Sequence, residues 1–83
     1  MLVVQFPAET APTAQAAARR LAAPVREEWQ PDGTWTGLFD VDDETRDELL
    51  ALVEAEGGDG ARTREYDSEA DIGGHRLALY AFD

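Results

Sequence analysis

Ser68 and His75 are the residues that could serve as nucleophile and base in this chain. A nucleophile–histidine–acid arrangement needs a hydroxyl delivered to the imidazole and a third group to orient the ring. No nucleophile-elbow glycine pattern surrounds Ser68, and there is no cysteine to act as a thiolate. His75 follows Gly73-Gly74 and reads as an ordinary histidine at a loop edge. No catalytic residue is assigned, and an enzyme ranks third among the functional readings.

Two acid clusters invite a metal reading, "DVDDE" from Asp40 and "DSEADIG" from Asp67. A calcium loop of the EF-hand kind needs oxygen ligands at alternate positions, glycine at the sixth and glutamate at the twelfth. Counted from Asp40 those positions hold Thr45 and Ala51; counted from Asp67 they hold Ile72 and Ala78. Both patterns fail, so no metal and no cofactor is expected. The first cluster reads as a helix cap and the second as a solvated loop. "GGDG" lacks the flanking strand and lysine of a phosphate loop and reads as a helix stop.

What remains is a set of groups suited to contact rather than reaction. Arg62, Arg64 and Arg76 can line one sheet face and hold an anionic group. Trp29 and Trp35 flank one tight turn in "EWQPDGTW", where they read as core with one edge left for a ligand or partner. With His75 and Tyr80, these make up the candidate contact set: Trp29, Trp35, Arg62, Arg64, His75, Arg76 and Tyr80.

Charge narrows the partners. Eighteen acidic residues against seven basic ones leave a formal charge of -11, and every basic residue is an arginine. Such a surface repels phosphate backbones, so direct binding of nucleic acid or an anionic membrane is not expected. Three readings compete: a halophile-type carboxylate shell suited to molar salt, mimicry of nucleic acid toward a basic protein, and an arginine-for-lysine genome with an ordinary acidic surface. "MLVVQFPAET" reads as a strand rather than a signal peptide, and no run approaches the ~18 apolar residues of a membrane span. A cytoplasmic protein is the default expectation.

The elements that must position these groups follow from periodicity. "LVVQF" is apolar and β-branched and Pro7 ends it, as for a first strand. "AETAPTAQAAARRLAAPV" reads as a helix capped by Thr10 or Thr13, with Pro12 near its first turn and Ala14, Ala17, Ala18, Leu21 and Ala22 on its buried face. Gln30-Pro31-Asp32-Gly33 suits a type I turn with Gly33 left-handed in a G1 bulge. That loop puts Trp29 opposite Trp35, Glu27 opposite Gly37 and Val25 opposite Phe39 on the apolar side of a hairpin. "DVDDETRDELLALVEAEGG" is a helix capped by Asp42 or Asp43 and ended at Gly57-Gly58. "ARTREYD" reads as a strand, "SEADIGG" as a loop and "HRLALYAF" as a last strand apolar on both sides.

The whole of residues 1–83 therefore reads as one small α+β domain, a two-layer sandwich of ferredoxin-like βαββαβ type. A mostly antiparallel sheet carries two helices on one face, and the hairpin at 62–82 supplies the fourth strand and an extra one. The alternative is a small two-layer fold with the same elements in another strand order. A chain this short buries only about 60–65% of the surface its unfolded form exposes, so the core must be used economically. The functional expectation is a non-enzymatic binding or regulatory module acting by homodimerisation or on a protein partner. The alternative is an acidic, nucleic-acid-mimicking inhibitor of a basic protein.

Overall fold

A computed structural model describes residues 1–67; the expected last strand, with Ser68, His75, Arg76 and Tyr80, lies outside the described residues. Within them the chain forms β1 (Leu2–Phe6), α1 (Ala11–Leu21), β2 (Arg26–Trp29), β3 (Trp35–Phe39), α2 (Asp43–Glu56) and β4 (Arg62–Glu65). The four strands make one sheet in the order β2-β3-β1-β4, antiparallel at every junction. This is a small α+β fold with two helices.

Pro7 cannot donate to a ladder, and its carbonyl instead accepts the N–H groups of Thr10 and Ala11 at 3.1 and 2.8 Å, turning the chain into α1. Thr10 occupies the N-cap position but does not cap with its side chain, because its backbone is already helical (φ -110°, ψ -16°). Its hydroxyl donates to the Gly57 carbonyl at 2.8 Å, satisfying an acceptor left over at the end of α2. Asp42 caps α2 as its type suggests: Oδ1 accepts the Thr45 N–H at 2.8 Å. Gly58, at φ +79°, takes the left-handed position after the helix end.

The β2–β3 hairpin follows its turn chemistry. Gly33 sits at φ +94° and donates to the Gln30 carbonyl at 3.0 Å, while Asp32 Oδ1 accepts the Thr34 N–H at 2.9 Å. The register pairs Trp29 with Trp35, Glu27 with Gly37 and Arg26 with Leu38. Val25, expected opposite Phe39, lies just outside the strand, and its N–H donates to the Leu38 carbonyl at 2.7 Å.

Both helices cover one face of the sheet. There Leu2, Val4, Phe6, Trp35 and Phe39 pack against Ala11, Ala14 and Ala18 of α1 and Leu49 of α2. The alanine face lets α1 approach the sheet closely, and Leu50, Leu52 and Val53 close the margin from α2. Leu21, read as part of the buried helix face, is instead 37% exposed at the last residue of α1. The opposite face has its own buried pair, Val3 and Leu38, flanked by Met1 and Tyr66. Beside it runs a polar chain in which Arg62 Nε donates to Gln5 Oε1 at 2.9 Å and Gln5 Nε2 donates to Thr36 Oγ1 at 3.0 Å.

Candidate functional site

The two tryptophans of the hairpin, read together as core, have different fates. Trp35 is fully buried, stacked on Phe6 (centroids 5.9 Å apart, 13° between planes) and edge-on to Phe39 at 6.2 Å. Its ring lies across Gly37, where an added Cβ would come within 2.2 Å of Cη2. The indole N–H donates to Glu27 Oε1 at 3.2 Å. Trp29 shares the helix-covered face by register but is 51% exposed. The reason is reach: α1 meets β2 through Gln15 and Arg19, both of which go to Glu27. Its alanines are too short to extend over an edge strand.

Among the described residues no strand pairs with the outer side of β2. Gln30 N–H bonds Thr34 O, so by the alternation of an antiparallel ladder Glu28 and Arg26 also point their backbone groups at β3. Glu27 and Trp29, in the intervening positions, then direct theirs away from the sheet. Leu21, Val25 and Trp29, at 37%, 47% and 51%, are the exposed large hydrophobics among the described residues; Trp29 lies on β2 and Val25 immediately precedes it. Charged residues alternate with them: Arg26 Nη2 and Glu28 Oε2 stand 3.8 Å apart on the face opposite the helices.

Arg62 and Arg64 do share one face of β4, paired across to Gln5 and Val3. Arg62 is engaged by the Gln5 carbonyl, and the Arg64 guanidinium lies 5.5 Å from the centre of the Tyr66 ring. Arg76, the third member of the expected anion-binding set, lies outside the described residues, as do His75 and Tyr80.

A cavity of about 200 Å³ opens beside Met1, between the start of α2 and the end of β4, with Asp43, Glu65, Asp67, Arg46 and Tyr66 in its wall. Arg46 bonds Glu65 at 3.0 Å and Asp47 at 3.4 Å, and Glu65 foremost holds its pKa above the ordinary arginine value. Arg46 in this wall is thus already matched by carboxylates, and Asp43, Glu65 and Asp67 leave the recess acidic. Among the described residues no three metal-ligating side chains converge, and no helix is long and apolar enough to cross a membrane.

Sequence reasoning found Trp29 but missed Val25 and the Arg26–Glu28 pair beside it. Each is ordinary by type. Their significance comes from β2 being an edge strand, which depends on strand order. No family model and no curated protein matches the chain.

Proposed function

We propose that the chain is a non-enzymatic binding or regulatory module that meets a protein, either a second copy or a different partner, along the β2 edge. The observation that carries this reading is the half-exposed Trp29 ring on β2, an edge strand among the described residues, whose Glu27 and Trp29 backbone groups meet no described strand on that side. An open edge with an exposed aromatic residue is a template for an added strand, and proteins that do not use such edges blunt them. Trp is also among the residues that supply most binding energy at interfaces.

The finer fold we propose is ferredoxin-like, with the hairpin at 62–82 adding a strand. Its support is the β-α-β-β-α-β order, the strand order β2-β3-β1-β4 and the placing of both helices on one face. That fold hosts many unrelated activities, so the functional reading rests on the edge. The charge of -11 supports a halophile-type setting, and the lack of cysteine supports a cytoplasmic one.

Tagged chain incubated with an untagged copy, and separately with extract of its source cells in molar potassium chloride, tests the reading. A species retained by the wild type and lost with Trp29→Arg supports it. Equal retention by both, or retention by neither, overturns it.

A further inference from the structure

We draw no further inference here: the strongest candidate, the apolar surface where Trp29 on β2 and Val25 just before it stand half-exposed, carries nothing further because nothing in the structure shows what covers it.

Discussion

Glu27, on the edge strand, accepts the indole N–H of the fully buried Trp35 at 3.2 Å and ion-pairs through its other oxygen to Arg19 in the last turn of α1. One carboxylate thus satisfies the donor of the largest core side chain and ties the helix to the strand. It also leaves Trp29 half-exposed, because the long side chains of α1 that reach this strand both end at Glu27.

Removing that carboxylate leaves a buried donor without its partner. Glu27→Ala should destabilise the fold by about 1–3 kcal/mol, the cost of an unsatisfied buried polar group. Glu27→Gln keeps an acceptor and should lose less. Urea midpoints at unchanged slope measure the difference; equal stability of the wild type and Glu27→Ala would remove Glu27 from the account of the core.

Gly37 is required by the Trp35 ring that lies across it. A Cβ at Gly37 meets Cη2, Cζ2 and Cζ3 at 2.2, 2.7 and 2.9 Å, so the ring must move within a packed core. Gly37→Ala should cost about 1–3 kcal/mol by overpacking. Near-ultraviolet circular dichroism should report the displaced indole in the same variant.

The contrast between the tryptophans makes a paired prediction. Trp35→Ala empties a core site and should cost about 3–5 kcal/mol. Trp29→Thr changes a half-exposed residue and should leave the isolated fold within about 0.5 kcal/mol of the wild type. A soluble quencher should reach one tryptophan and spare the other, and Trp29→Thr should remove the accessible fraction.

How much of this was legible in the sequence depended on whether a local rule sufficed. The turn at Pro31-Asp32-Gly33 sets the hairpin register because only a left-handed residue closes that loop, and the Trp29–Trp35 pairing follows from counting. Asp42 is readable as a cap because acids crowd the first turn of α2. Register, however, states which face a residue shares and not how deeply it is buried. Trp29 and Leu21 were therefore read as core, although the sheet order leaves β2 at an edge and α1 offers mainly alanine above it. Thr10 looks like a cap by type, yet its hydroxyl serves a carbonyl forty-seven residues away. Gln5 and Thr36 sit at buried strand positions as a cross-strand hydrogen-bonded pair; nothing local distinguishes them from surface polar residues.

The capping aspartates set the acid limb of stability. Asp42 and Asp32 each accept a backbone N–H, from Thr45 and Thr34 respectively, which holds their pKa values below the ordinary 3.8. A carboxylate with a depressed folded-state pKa contributes stability that is fully present above its unfolded value and is lost as pH falls through the folded one. Melting temperature should therefore fall as pH drops below about 4. Asp42→Asn retains the side-chain acceptor without the titration, so its melting temperature should depend less steeply on pH in that window. An identical acid profile for the variant would show that this cap does not contribute to the pH dependence.

Salt acts on two opposed sets of interactions, and their balance decides the sign of its effect. Screening weakens favourable pairs such as Arg46–Glu65 and Arg19–Glu27, but exposed ion pairs contribute only about 0–1 kcal/mol each. It also weakens repulsion among eighteen acidic residues opposed by seven basic ones, an imbalance that no set of local pairs can offset. The second effect should win, so the melting temperature should rise from low salt to molar potassium chloride. Most of the rise should come while the Debye length shrinks to about 10 Å, near 0.1 M, with a slower gain beyond it as repulsion between closer carboxylates is screened in turn. Repeating the series with Trp29→Arg keeps any dimer from contributing to the rise. A melting temperature that is flat or falling in that variant would mean the acidity imposes no repulsive load on the fold, and the carboxylate shell would then need a functional explanation.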